Sequence, residues 1–188
     1  MKTIRTALLG SVMLMGLATA SQAADPYVAP TEPQQTYAAM GWYLRGDIGW
    51  SFLEWDGGND DNTVALGGGV GYQFNDYLRS DIRVDWAGDY SIGGGADMGI
   101  TSVLGNLYLD IPTNTLITPY VGAGVGYGWA TVDGGEDDDG VAWALMAGAS
   151  VDLSESLALD MGYRFRDVSV SGDDPYEHQI LTGIRFKF

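Results

Sequence analysis

From Gly41 to Phe188 apolar and polar positions alternate with a period of two, the pattern of half-exposed β-strands and not of helices. Eight segments carry it. Gly41–Phe52 sets Trp42, Leu44, Ile48, Trp50 and Phe52 on one parity against Tyr43, Arg45, Asp47 and Ser51. Thr63–Phe74 opposes Val64, Leu66, Val70, Tyr72 and Phe74 to Gly67, Gly69, Gly71 and Gln73. Tyr77–Ala87 opposes Leu78, Ile82, Val84 and Trp86 to Arg79, Asp81, Arg83 and Asp85, and Gly99–Ile111 opposes Val103, Leu107, Leu109 and Ile111 to Ser102, Asn106, Tyr108 and Asp110. Thr118–Thr131 carries Val121, Val125, Tyr127 and Trp129 against Gly122, Gly124, Gly126 and Gly128. Val141–Leu153 carries Trp143, Leu145 and Val151 against Met146, Gly148 and Asp152. Ser156–Asp167 and His178–Phe188 close the series, with Asp160, Arg164, Arg166, Arg185 and Lys187 on the polar parity. Connections alternate in length. Stretches of roughly ten residues (53–62, 88–98, 132–140, 168–177) follow odd segments, and short turns (Asn75-Asp76, Pro112–Ile117, Ser154-Glu155) follow even ones, as in an up-and-down meander.

Residues 1–23 interrupt this picture. Lys2 and Arg5 precede the apolar run 7–18, and Ser21 and Ala23 place small residues at the −3 and −1 positions of a cleavage site after Ala23, so the segment is expected to be a secretory signal. Twelve apolar residues are too few to cross a bilayer as a helix. Residues 24–40, with Pro26, Pro30 and Pro33, read as an extended leader. The barrel segments then occupy 41–188.

Composition decides which function classes survive. The 188 residues carry 9 Lys+Arg against 25 Asp+Glu, a formal net charge of −16, and no Cys. Loss of residues 1–23 removes two cations and no acid, which takes the net charge to −18. Nucleic acid is excluded as a partner, because its binding needs a basic face. Disulfides and thiolate chemistry are excluded as well. A mean hydropathy of −0.02 does not argue against a membrane barrel, whose alternating strands average out.

Alternation alone leaves open whether the apolar parity is buried, as in a soluble sandwich or lipocalin-like binder, or faces lipid. Four features favour lipid. The segments are long for globular strands and match a transmembrane strand. All seven Lys/Arg beyond residue 23 share the polar parity with Asp47, Asp81, Asp85, Asp110, Asp152 and Asp160, a near-neutral set suited to pairing in a closed interior. Glycine stripes lie on that parity, where a narrow interior needs small residues beside large ones. Aromatic residues gather near segment ends on the apolar parity: Trp42, Tyr72, Phe74, Phe186 and Phe188 at one end, Trp50, Phe52, Trp86, Trp129, Trp143, Tyr163 and Phe165 at the other. The expected fold is therefore all-β, an eight-stranded antiparallel up-and-down transmembrane β-barrel. Arg45, Asp47, Arg79, Asp81, Arg83, Asp85, Asp110, Asp152, Asp160, Arg164, Arg166, Arg185 and Lys187 are expected to form a charge network in its lumen. Arg45, Arg79 and Arg83 are expected to lie over the glycines of the second segment.

The opening GWYLRGDIGWSF, the strand TPYVGAGVGYGWAT and the ending ILTGIRFKF resemble the small outer-membrane β-barrel proteins of Gram-negative bacteria, the opacity-type "porin family" built like OmpA and OmpX. The resemblance covers about residues 41–188. It implies an outer-membrane location with both termini periplasmic, lipid and lipopolysaccharide as surroundings, and periplasmic chaperones and the barrel-assembly machinery as biogenesis partners. It also implies that Ile184, Phe186 and the final Phe188 form the assembly signal.

Catalysis is not expected. Enzymatic barrels of this kind need a His working with Ser or carboxylate partners, and the single His178 falls at a loop end on the outward parity. The glycine runs lack the Lys-Ser/Thr or the third glycine of nucleotide loops. No cofactor is implied. Fifteen acids are expected in the longer connections: Glu54, Asp56, Asp60, Asp61, Asp89, Asp97, Asp133, Glu136, Asp137, Asp138, Asp139, Asp167, Asp173, Asp174 and Glu177. They lack calcium-loop spacing and read as a solvated rim, with cation bridging to lipopolysaccharide phosphates as the sharper alternative. The expected role is structural, at the surface of the envelope. A narrow pore for small solutes or ions is the alternative.

Overall fold

The computed structural model describes residues 40–54, 61–93, 96–113, 115–132, 138–169 and 176–188. The signal segment 1–23, and the leader 24–40 except Met40, lie outside these residues. Eight strands follow in chain order: β1 Gly41–Glu54, β2 Asp61–Gln73, β3 Leu78–Gly93, β4 Ala96–Asp110, β5 Ile117–Val132, β6 Asp138–Asp152, β7 Leu157–Ser169 and β8 Tyr176–Lys187. Each pairs antiparallel with the next, and β8 returns to β1, which closes the barrel. The closing seam runs from Tyr43↔Lys187 to Glu54↔Tyr176. At its end the Phe188 amide donates to the Trp42 carbonyl at 3.0 Å. Closure leaves no strand edge to be satisfied by water or lipid.

The period of two maps onto inside and outside. In β1 exposed Trp42, Leu44, Ile48 and Trp50 alternate with buried Tyr43, Arg45, Asp47 and Ser51. The outward rings pair along the strand ends. Trp42 meets Tyr72 edge-on at 5.3 Å and Tyr72 meets Phe74 at 5.2 Å at the short-turn end. Tyr127–Trp129 and Trp143–Phe165 pair at the opposite end. There the ring tips also bond polar residues of the adjacent strand: Trp50 Nε1 donates to Asn62 Oδ1 at 2.9 Å, and the Tyr127 hydroxyl donates to Asp139. Such amphipathic rings belong at a water–hydrocarbon boundary.

The short turns carry their own chemistry. Asn75 Oδ1 accepts the Tyr77 amide at 2.8 Å, and Ser154 Oγ accepts the Leu157 amide at 3.1 Å. These side chains replace the hydrogen bonds a turn costs the backbone.

At the opposite end the structure corrects the sequence reading. The strands run beyond the expected segments, so that only residues 55–60, 94–95, 133–137 and 170–175 stand between them instead of roughly ten residues each. Glu54, Asp61, Asp89, Asp97, Asp138, Asp139, Asp167 and Glu177 are strand residues. Asp56, Asp60, Asp133, Glu136, Asp137, Asp173 and Asp174 lie outside the described residues. Polar residues continue a strand here because backbone pairing, not burial, holds a protruding hairpin together. In β3 a register shift between Ala87 and Tyr90 puts both residues inside. A bulge adds one residue and so exchanges the two faces. At Gly88, within it, a Cβ would collide with the Trp86 indole.

Candidate functional site: the lumen

The lumen is the one place where this fold gathers chemistry. All seven cations beyond residue 23 are buried in it: Arg45, Arg79, Arg83, Arg164, Arg166, Arg185 and Lys187. Their carboxylate partners include one that the sequence reading placed in a loop. Glu177 is only 1% exposed and points inward. Its Oε2 accepts Arg166 Nε at 2.6 Å, and its Oε1 accepts the Tyr90 hydroxyl at 2.6 Å and Ser51 Oγ at 3.0 Å. With Asp47, Asp81, Asp85, Asp110, Asp152 and Asp160 it makes seven carboxylates against seven cations. The extra acid was visible in principle. Glu177 shares the parity of Gln179 and Arg185, and starting β8 two residues earlier turns it inward.

The groups join into two chains and one separate pair. In the first, Arg45 grips Asp47 through Nε and Nη2 at 3.1 and 2.7 Å and reaches Asp81 through Nη1 at 3.1 Å. Arg83 Nη2 bridges Asp47 at 3.1 Å and Asp85 at 2.7 Å. Arg164 pairs with Asp85 at 2.8 Å and donates to Gln179 at 2.6 Å, and Gln179 donates to Ser51 at 3.0 Å beside Glu177. In the second chain Arg79 Nε donates to Asp110 at 3.0 Å, Gln73 joins Asp110 to Arg185, and Arg185 meets Asp160 at 3.3 Å. Lys187 and Asp152 pair at 2.6 Å at the short-turn rim, where Asp152 keeps 34% of its side-chain surface exposed. Charges removed from water persist only when so partnered.

Tyrosines that the sequence reading left unassigned complete this half. The Arg79 guanidinium stacks between the rings of Tyr108 and Tyr120, at 4.4 and 4.6 Å from their centroids. The expectation that Arg79 covers the glycines of β2 is therefore corrected. Arg83 does stand over Gly67 and Gly69, but the ring over Gly71 is Tyr43, and Asp85 shares Gly67. Arg45 turns its guanidinium to Asp47 and Asp81 instead. The other inward glycines serve the same purpose: a Cβ at Gly122 would meet Tyr108, at Gly124 Asn106, at Gly148 Tyr120, and at Gly183 Asp47. Each large polar side chain uses the room that a neighbouring strand leaves by having none. Among these side chains lies a cavity of about 10 Å³ lined by Arg45, Asp47, Arg83, Tyr108, Asp160 and Arg164 among others, enough for roughly one water.

Toward the longer connections the lining turns apolar. Leu53, Met98, Ile100, Leu104 and Val168 are buried there against Ala65, Ala87, Ala130, Ala142 and Ala144.

Outside, His178 sits among the rings of Tyr163, Phe165 and Tyr176, bonds the Tyr163 hydroxyl through Nδ1, and lies 3.7 Å from Glu54 Oε1. Among the described residues no three His, Cys, Asp or Glu side chains gather to hold a metal ion. Ile184, Phe186 and Phe188 all face outward and are exposed.

Known proteins share this architecture. The crystal structure of Neisserial surface protein A superposes with a TM-score of 0.71 at 22% identity, over 79% of this chain and 97% of that one. That of Ail, the attachment invasion locus protein of Yersinia pestis, gives 0.54 at 19% identity, over 78% and 100%. In sequence, an uncharacterised protein of Brucella abortus is 32% identical over 92% of this chain and 86% of its own length. Outer membrane protein A of Escherichia coli O157:H7 is 26% identical over 98% of this chain, which spans 55% of that longer protein. A family model described as the outer membrane protein β-barrel domain matches residues 10–188, and the chain belongs to that family of bacterial outer-membrane barrels.

Proposed function

We propose that the protein is a structural, surface-exposed component of the outer membrane with a closed lumen and no catalytic role. The observation that carries this reading is the filled interior. Inward side chains from the eight strands fill it, the charges among them are partnered, and the cavity beside Arg45, Asp47 and Arg83 has room for roughly one water. The orientation proposed for it puts both termini and the short turns on the periplasmic side and the extended hairpins outside. The tethered ring tips at the hairpin end support this orientation, since longer extracellular connections are the rule for such barrels. The acids at that end form the outer rim, facing lipopolysaccharide. Glu54 and Asp139 are its exposed members within the strands. The outward Ile184, Phe186 and Phe188 are the residues offered to the barrel-assembly machinery, with periplasmic chaperones acting before it.

The alternative, a narrow pore for small ions, draws on the polar lining of the short-turn half. Recordings from the folded protein in a planar bilayer separate the two. A closed barrel gives no stable conductance, and a reproducible open state of the unmodified protein would overturn the structural reading. Membrane fractionation with a boiled-versus-unboiled gel shift tests the location and the folded barrel directly.

A further inference from the structure

The two ends of the lumen present an ion with different obstacles. In the charged half several buried polar atoms have no protein hydrogen-bond partner: Arg79 Nη1 and Nη2, Arg83 Nε, Asp160 Oδ2 and Arg185 Nε. Groups of this kind exchange readily with water in a polar, roomy setting. They can also take over part of an ion's hydration. Toward the other end the described apolar side chains offer no such substitution. Leu53 from β1, Tyr90 from β3, Met98, Ile100 and Leu104 from β4 and Val168 from β7 are at most 4% exposed and belong to one contiguous apolar cluster. The β3 bulge adds to this closure, because without the change of face Tyr90 would point to lipid. The buried ion pair on this side, Arg166 with Glu177, is engaged within the protein: Glu177 accepts from Arg166, Tyr90 and Ser51, and Arg166 also donates to Ser102. The pair leaves no free charge to draw an ion through.

We infer that this apolar cap, and not the salt-bridge network, is the seal that holds the lumen shut against ions and small polar solutes. The inference rests on the closed-lumen reading above and names what closes it. A hydrophobic constriction blocks passage by excluding water, even where side chains would leave a path. The seal therefore works through polarity as well as size. Making the cap polar at constant volume opens it, whereas neutralising a salt bridge below it does not.

The test is planar-bilayer recording of full-chain protein, with the gel shift confirming that each variant is folded. Leu104→Asn and Val168→Thr keep the number of side-chain heavy atoms while changing polarity, singly and together. Asp160→Asn combined with Arg185→Gln removes one salt bridge of the charged half without leaving an unpaired charge. The expected result is silence from the unmodified protein, a gain of discrete openings in the cap variants, most frequent in the double variant, and continued silence from the neutralised pair. Folded cap variants that stay silent would overturn the seal while leaving the closed-lumen reading intact. Openings as frequent in the neutralised pair as in the cap variants would overturn it too, by making the network the barrier. Conductance from the unmodified protein is the distinct failure of the closed-lumen reading itself, and takes the seal with it.

Discussion

The two halves of the lumen fill the same cylinder in different ways. In the short-turn half large charged and tyrosyl side chains project from β1, β3, β4, β7 and β8, and the facing positions are glycines, such as Gly67, Gly69 and Gly71 on β2 and Gly122 and Gly124 on β5. In the other half the projecting groups are Leu53, Met98, Ile100, Leu104 and Val168, and the facing positions are mostly alanines, Ala65, Ala87, Ala130, Ala142 and Ala144, although Val168 takes the room left by Gly128. Along β2 the change from Ala65 to Gly67 marks the boundary. An arginine lying flat across a strand leaves no room for a methyl group. A branched aliphatic side chain leaves a gap that a methyl group fills. The charged half therefore depends on partnership and the apolar half on volume, and substitutions can show whether that distinction holds.

The largest effect is expected from Arg83→Glu. Arg83 Nη2 serves Asp47 and Asp85 together. Removing one partner of a buried pair costs about 3–5 kcal/mol, and reversal adds a third carboxylate to two that have just lost their cation. Urea titration of the refolded barrel, followed by tryptophan fluorescence, should show a loss beyond that range or no heat-resistant folded form at all. Unchanged stability would mean that this half is wetter and better screened than its burial indicates.

Next in size is Ile100→Ala. It removes no charge partner and leaves a void in the apolar half, at a cost of about 2–5 kcal/mol by analogy with other cores. The same titration measures it. A loss well under that range would show that the cap collapses around the gap, and would weaken the claim that volume governs this end.

How far the sequence foretold these features follows the same division. Strand number, order, closure and the inward charges all depend on a period of two, and that period is strong wherever one face meets lipid. Leu44, Ile48, Val70 and Ile82 could not turn inward without bringing Arg45, Asp47 and Arg83 into hydrocarbon. Toward the hairpin ends the inward face turns apolar, with Leu53, Tyr90, Met98 and Val168, while polar residues such as Glu54, Asn62 and Asp139 appear outside, so the alternation no longer separates the faces as it does in the hydrocarbon, and there the sequence reading stopped the strands too early. This is why Glu177 was read as a loop acid and Tyr90 was not read as lumenal. The bulge between Ala87 and Tyr90 further breaks the parity that would have placed the tyrosine. Tyr43, Tyr108 and Tyr120 share the polar, inward parity, and what the sequence left unread is what they hold. A tyrosine on the polar parity has an amphipathic side chain, and only the three-dimensional stack shows that Tyr108 and Tyr120 clasp Arg79.

The smallest expected effect comes from one of two glutamates that spacing alone makes alike as loop acids. Glu177 and Glu54 both lie at the hairpin end of the β1–β8 seam, where Tyr176 faces Glu54 and Leu53 faces Glu177. Glu177 points into the lumen and accepts from Arg166, Tyr90 and Ser51. Glu54 points outward, keeps 47% of its side-chain surface exposed, and accepts from the Tyr176 hydroxyl at 3.2 Å. Glu177→Gln preserves size but leaves the buried Arg166 charge without its counterion, which costs about 3–5 kcal/mol by the same measure as for Arg83. Glu54→Gln keeps an acceptor in water's reach and should cost less than about 1 kcal/mol, as exposed pairs do. Raising the salt concentration should reduce the Glu54 effect and leave the Glu177 effect nearly unchanged, because ions screen exposed charges and not buried ones. Equal losses with equal salt dependence would place both carboxylates in the same solvent, and the distinction between lumen and rim at this end of the barrel would have to be given up.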